Sequence, residues 1–259
     1  MDAVPEIRTV GVIVIGNEVL SHKVRDENTP LMLAEFASAG LRVGEVAILA
    51  DDVARIAAVI REFAQRFDLV VTTGGVGPTH DDCTWQAVAE ALDRPRELHQ
   101  ELVDRIEKRS GVPMTAEQKR MAWLPRGTRL ALGDGRWPLL QTANVIVLPG
   151  VPSMVAGRIG ALCARIRRPR AWLATAYFSA DEWLSVAAID AVVAAFPALE
   201  IGSYPIFEAA DHKLRLTFEG HVEAEVAAAV AHVTAAIGEA ALVRVTWRPP
   251  SDPEVVDRG

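Results

Sequence analysis

Asp68-Leu69-Val70-Val71-Thr72-Thr73-Gly74-Gly75-Val76-Gly77-Pro78-Thr79-His80-Asp81-Asp82 decides the reading of this chain. Its first half is a short run rich in β-branched residues, as a strand buried on both faces requires. Its second half places three glycines in four positions and then two adjacent acids. Behind it Trp85, Val88, Ala89 and Leu92 fall on one helical face, so the segment reads as strand, loop, helix. Glycines leave backbone N–H groups uncovered, and the N-terminus of a following helix adds positive potential, which together favour an anion such as phosphate. No Gly-Lys-Ser/Thr follows, so this is not a Walker A loop, and the GxGxxG spacing is also absent.

Working outward, the same alternation recurs. Val10 to Ile15 is a strand ending at Gly16-Asn17-Glu18. Asn28-Thr29-Pro30 opens a helix, with Asn28 as a capping residue, that runs to Gly40. Arg42 to Leu49 is a second strand and ends at Asp51-Asp52, one of which caps the next helix. Asn144 to Leu148 is a further buried strand ending at Pro149-Gly150, followed by a helix from Pro152 to about Arg167. Such βαβ units predict an α/β fold: a three-layer, doubly wound, mostly parallel sheet with helices on both faces. Between these parts, residues 97 to 123 read as polar helix broken near Gly111, and Pro125 to Thr142 as turns with a hairpin. Arg165 to Arg170 is basic, holds Pro169 and reads as a solvated link. Beyond it the order β-α-β-β-α-β predicts a small α+β, ferredoxin-like second domain. The expected division is 1–168, 169–248 and a tail over 249–259.

Composition sets the outer limits. With 259 residues, half of them hydrophobic and 24% charged, the chain suffices for one standard domain and a smaller one. A net charge of −7 argues against a general nucleic-acid binder, which needs a basic footprint. Cys83 and Cys163 show no metal-ligand spacing and read as reduced thiols. There is no signal-peptide pattern and no apolar run long enough to span a bilayer, so no membrane partner and a cytoplasmic location are expected.

In an open parallel sheet, ligands bind beyond the carboxyl ends of the strands. The candidate phosphate-binding residues there are Thr73, Gly74, Gly75, Gly77, Thr79, His80, Thr84, Gly150 and Ser153. Asp81 and Asp82 are the candidate catalytic acids. Projected back from the helix behind them, both lean over the sheet edge. Two acids beside a phosphate cradle make sense if a divalent cation bridges acid and phosphate, the rival being helix capping with dipole complementation. Asp82, Glu18 and Asp26 are the candidate metal ligands. Glu18 has the alternative of a turn carboxylate. Asp26 competes with a pattern in which Asn28 as a cap suffices. His80 meets phosphate, metal or merely the backbone. Ser153 is read as bonding a free N–H early in its helix, Tyr204-Pro205 as packing, and Trp85 and Trp183 as core.

The loop from Thr72 to Asp82, followed by Thr84, resembles the signature of the MoaB/Mog molybdopterin-binding superfamily in its CinA-like branch. It is most similar to the molybdopterin-binding-like domain of eukaryotic FAD synthases. Gly16-Asn17-Glu18-Val19-Leu20 with Asp26-Glu27-Asn28 resembles the family's first motif, Leu148-Pro149-Gly150-Val151-Pro152 its later strand-end motif, and Ile201 to Pro205 a segment of the second domain. The resemblance implies a domain binding a phosphorylated, nucleotide- or pterin-like ligand, with molybdopterin among the candidates. It also implies Mg²⁺-, Mn²⁺- or Co²⁺-dependent hydrolysis of a pyrophosphate bond in ADP-ribose or FAD, with Asp82 as the key acid; separately, assembly as a homo-oligomer is expected. A non-catalytic binding module or a degenerate regulatory paralogue is the alternative. This chain departs from the pattern at Asn17, where Asp is usual, at His22, where Gly is common, and at Ser153-Met154, where an acid often follows. It reads as a stand-alone form, without the C-terminal amidohydrolase domain of CinA proteins or the FAD-synthetase loop.

Overall fold

The computed structural model describes residues 7–131, 138–166 and 171–250. Much of the linker at 165–170, most of the tail and the middle of the 125–142 stretch lie outside those residues. In chain order the first unit holds β1 (Thr9–Ile15), α1 (Asn17–Leu20), α2 (Asn28–Ser38), β2 (Arg42–Leu49), α3 (Val53–Arg66), β3 (Leu69–Thr73) and α4 (Thr84–Ala91). It continues with β4 (Arg96–Leu98), α5 (Gln100–Ser110), β5 (Trp123–Pro125), β6 (Arg129–Ala131), β7 (Leu139–Thr142), β8 (Val145–Leu148) and α6 (Pro152–Ile166). The second holds β9 (Trp172–Phe178), α7 (Glu182–Ala195), β10 (Glu200–Pro205), β11 (Leu214–Gly220), α8 (Glu223–Ile237) and β12 (Leu242–Arg248). The chain separates into two compact units, Met1–Arg167 and Arg168–Gly259.

The first unit is built on a six-stranded sheet in the order β2-β1-β3-β8-β7-β6. Its first four strands are parallel, and β7 and β6 run antiparallel. Alternation along β1 sends Ile13 and Ile15 to one face and Val10, Val12 and Val14 to the other. On the first face they meet Ile56, Ile60 and Phe63 of α3 with Trp85 and Val88 of α4; on the second, Met32 and Phe36 of α2 with Val155 and Ile159 of α6. Three layers result. Each of the fully buried Phe36 and Phe63 contributes about 1.5–3 kcal/mol relative to exposure. Register fixes the functional edge: Ile15 lies opposite Leu49, Val14 opposite Thr73, and Thr73 opposite Leu148. Four strands therefore end together.

The middle of this unit differs from the sequence expectation. α5 stops at Gly111, in the left-handed conformation at φ +74°, and only a single 3-10 turn follows over Gln118–Ala122. Arg96–Leu98 and Trp123–Pro125 pair as a two-stranded ribbon. Three-residue strands carry too few side chains for a period-2 pattern to show. Trp85 is buried as expected.

The second unit is a four-stranded antiparallel sheet in the order β10-β11-β9-β12, backed by α7 and α8. That is the ferredoxin-like arrangement. On its other face the register sets Tyr204, Arg215, Tyr177 and Arg244 side by side across all four strands. Arg215 stacks on Tyr204 at 4.7 Å and Arg244 on Tyr177 at 4.0 Å. Tyr204 is thus 43% exposed under a guanidinium, not packed into a core. Trp183 also corrects its reading: it is 83% exposed, because the buried stripe of α7 runs through Ser185, Ile189 and Val192 instead. Among the described residues no helix is long and apolar enough to cross a membrane.

Candidate functional site

The glycine loop leaves β3 in a conformation that side chains resist. Gly74 has φ +101° and Gly75 φ +60°. A Cβ on Gly74 would overlap the Ile15 carbonyl oxygen, and one on Gly75 would lie 2.6 Å from Thr84 Oγ1. Thr84, the first residue of α4 and fully buried, ties the loop down. Its hydroxyl donates to the Gly74 carbonyl at 2.8 Å and its amide to the Gly75 carbonyl at 3.0 Å. With the carbonyls drawn back to the helix, the N–H groups are released. The Gly74 amide still completes the sheet on Leu148 O at 3.2 Å, which removes it from the expected cradle. The amides of Gly75, Val76 and Gly77 meet no protein acceptor among the described residues, and all three residues are only partly buried. Three consecutive free donors stand before a helix N-terminus.

The acids around them divide unequally. α4 begins at Thr84, so Asp81 and Asp82 lie in a turn ahead of it and the helical projection does not apply to them. Asp82 folds back over that turn, accepting from the Thr79 amide at 2.8 Å and from the Thr79 hydroxyl, with Oδ2 2.7 Å from where a Gly77 Cβ would stand. Thr79 is therefore occupied as a donor to Asp82. Asp81 is exposed; the nearby Thr79 hydroxyl first, its own amide, and lastly His80 draw its carboxyl below the usual range, although the hydroxyl's hydrogen bond goes to Asp82. His80 is fully in solvent and 4.0 Å from Asp81.

Asp51 is the residue that sequence reasoning missed. Asp52 caps α3, accepting from Arg55 N at 2.7 Å. Asp51 instead accepts from Asn17 N at 2.9 Å, and its Oδ1 is 3.7 Å from where a Gly75 Cβ would stand. The signal was available: of two adjacent acids at a strand end, one cap leaves one carboxylate over. Burial first, then the charges of Asp51, Asp52 and Asp82, push the Cys83 thiol up to about 11.

A second lattice locks the strand ends, and it exchanges two expected roles. Asp26, proposed as a metal ligand, is the helix cap: its Oδ1 accepts from the amides of Asn28 and Thr29, each at 3.0 Å. Asn28, proposed as the cap, is buried and donates from Nδ2 to Gly150 O at 2.7 Å and Thr73 Oγ1 at 3.2 Å. Thr73 passes its own proton to Pro149 O at 2.8 Å. The hydroxyls of Thr73 and Thr84 are thus spent on architecture. Gly150 sits against Gly74, where a Cβ would come within 3.4 Å of the Gly74 Cα. Ser153 stands exposed in the first turn of α6 and its hydroxyl makes no hydrogen bond among the described residues, so the expected bond to a free N–H is not made. Glu18 folds over Gly16 in α1. Among the described residues no three His, Cys, Asp or Glu side chains gather to hold a metal ion, so Asp82, Glu18 and Asp26 form no preassembled set. His22 adopts φ +54°, which accounts for the glycine usual at its place.

Comparison with known proteins gives the family of the chain. Residues 11–167 match the family described as probable molybdopterin binding domain, and residues 171–246 match the FAD synthase, middle domain. A probable FAD synthase of Caenorhabditis briggsae is 28% identical over 82% of this chain and 46% of its own length. A protein of Archaeoglobus fulgidus is 30% identical over 75% of this chain and 84% of that one. A CinA-like protein of Anaeromyxobacter dehalogenans is 34% identical over 55% of this chain and 37% of its own. The crystal structure of CinA from Thermoplasma acidophilum superposes with a TM-score of 0.56 at 28% identity, covering 62% of this chain and 100% of that one. The chain spans about half the length of the FAD synthases it matches. With three of its parallel strands, the glycine loop and the Pro149-Gly150 strand end all inside the matched region, the chain belongs to the family of probable molybdopterin-binding domains, in a CinA-like form joined to an FAD-synthase-type middle domain.

Proposed function

We propose that the chain holds a phosphate of a nucleotide- or pterin-like ligand on the amides of Gly75, Val76 and Gly77. There it hydrolyses a pyrophosphate bond of ADP-ribose- or FAD-type dinucleotides with the help of a divalent ion. The observation that carries the reading is the run of three acceptor-free amides ahead of α4, flanked by Asp51 and Asp82. The amides and the helix N-terminus orient the anion. Thr84 keeps the loop carbonyls turned away from it.

A bare phosphate there would be repelled by the two carboxylates. At an effective dielectric of about 20 and a separation of about 5 Å, each unit-charge pair costs about 3 kcal/mol. A cation removes that conflict, and the donor chemistry fits one. Asp51 and Asp82 offer hard oxygens, with Glu18 at the neighbouring strand end, a donor set suited to a hard divalent cation. Mg²⁺ commonly takes one or two carboxylates and completes its shell with phosphate oxygens and water, which suits a site without a three-residue cage. When bound, such an ion would supply charge neutralisation and a more acidic water. Hydrolysis would bond a water oxygen to one phosphorus as the bridging oxygen leaves with the other phosphate, the water's proton being released to solvent.

The test is a hydrolysis screen of ADP-ribose, FAD and NAD with Mg²⁺, Mn²⁺ and Co²⁺, beside calorimetry of inorganic phosphate. Turnover that chelators abolish and that Asp51→Asn and Asp82→Asn both lose is expected. Phosphate binding without turnover on any substrate or metal would leave a non-catalytic binding module for molybdopterin or a related phosphate. That second reading draws on one observation: Asp82 is already engaged by Thr79.

A further inference from the structure

Helix α7 carries more apolar surface than its sheet covers. Ser185, Ile189 and Val192 face inward, while a second row, Trp183, Val186 and Val193, recurs at i, i+3 and i+10 and stays outside. Trp183 is 83% exposed, and Phe207, just beyond β10, is 91% exposed. Between these two rings runs a groove of about 380 Å³ at the edge of the sheet, where β10 pairs only with β11 among the described residues. Leaving two aromatic rings in water forgoes about 1.5–3 kcal/mol for each. Isolated exposed apolar residues are ordinary, but aromatic lips around a groove mark an interaction site.

The wall of the groove is acidic. Asp181, Glu182 and Asp190 line it, and none of them forms an ion pair among the described residues. Asp181 caps α7 by accepting from Trp183 N at 3.1 Å, and Glu182 accepts from the Ser203 hydroxyl, which fixes both carboxylates at the groove. A second copy of the chain fits poorly, since isologous pairing sets this wall against itself on a protein of net charge −7.

We infer that this groove docks a basic, amphipathic polypeptide segment, whose apolar side chain enters between Trp183 and Phe207 while flanking Lys or Arg residues face Asp181, Glu182 and Asp190. The docking site lies wholly within the second unit and does not depend on the chemistry at the glycine loop.

The probe is a synthetic peptide repeating Lys-Leu-Leu-Lys, with a Glu-Leu-Leu-Glu peptide as its counterpart, titrated into the full chain by calorimetry and tryptophan emission. The Lys peptide should bind, shift the emission of Trp183 to the blue and weaken as salt screens the wall. Trp183→Ser and Phe207→Ser should each weaken it about thirtyfold or more, as loss of an aromatic anchor does. Asp190→Asn should flatten the salt dependence. Both positions are exposed, so far-UV dichroism should show the fold unchanged. Equal binding of the two peptides, binding of neither, or unchanged affinity in Trp183→Ser would overturn the proposal. So would sedimentation showing that the chain pairs with itself and that Trp183→Ser separates the pair.

Discussion

Gly75→Ala probes the anion loop through its backbone. Alanine at φ +60° costs about 1–2 kcal/mol in left-handed strain. Its Cβ would also stand 2.6 Å from Thr84 Oγ1, so the hydroxyl must leave the Gly74 carbonyl it now holds. Losing that buried bond costs about 1–3 kcal/mol. The two contributions centre on about 3.5 kcal/mol, a fall of about 7–14 °C in Tm for a unit of this size. Thr84→Ala alone loses the same bond, at about 2 kcal/mol. In its background Gly75→Ala meets no hydroxyl and costs the strain alone. The double variant should therefore be about 2 kcal/mol more stable than the sum of the singles predicts, the bond being lost only once. Urea unfolding followed by far-UV dichroism gives the four free energies, and phosphate calorimetry should show weaker binding in each variant. Additivity within about 0.5 kcal/mol would refute the reasoning, since it would mean that Thr84 does not hold the loop.

Asp82→Asn keeps an acceptor for the Thr79 amide and should cost less than about 1 kcal/mol in stability. It should nonetheless abolish metal-dependent turnover, with Asp81→Asn milder; wild-type turnover in Asp82→Asn would remove this acid from the chemistry. Cys83, with its thiol pushed up to about 11, should resist iodoacetamide at neutral pH and gain reactivity as pH climbs toward that value, checked by mass mapping. The sign for stability follows: the raised folded pKa contributes below the unfolded value near 9, and that contribution is lost as pH rises through about 11. His22→Gly should raise stability by about 1 kcal/mol by relieving φ +54°, measured by urea unfolding, and a loss instead would show that the His22 side chain makes a needed contact.

What could be read from the chain follows from how much pattern each part displays. β1, β3 and β8 are buried on both faces and show as short runs rich in β-branched residues, and the glycine loop shows because only glycine tolerates Gly74. Asp26 and Asn28 were both recognisable as important, yet their roles were exchanged. Either residue type caps a helix, and the choice depends on Asn28 pointing inward to Gly150 and Thr73, which only the assembled sheet dictates. Asp51 was hidden because one cap seemed to explain the pair it shares with Asp52. Trp183 was misplaced because a helix rich in Ala and Val shows no phase that separates its buried stripe from its exposed one.

The candidate site owes its character less to its acids than to what holds its donors open. Three amides in sequence are a liability unless water or a ligand meets them, since a buried donor without an acceptor costs about 1–3 kcal/mol. Here several framework acceptors that could close on them are committed elsewhere. The Gly74 and Gly75 carbonyls go to Thr84, the Pro149 carbonyl to Thr73, the Gly150 carbonyl to Asn28, and the Asp82 carboxylate to Thr79. Those bonds lie at the ends of strands held in register by two packed faces, so the donors are fixed before any ligand arrives and little ordering is left for binding to supply. Asn28 and Thr84 touch no ligand in this arrangement, yet they act as positioning residues for the donors that would. Under the proposed function, the carboxylates of Asp51 and Asp82 would decide what else must accompany the anion, and the buried amide and hydroxyl whether an anion is received there at all.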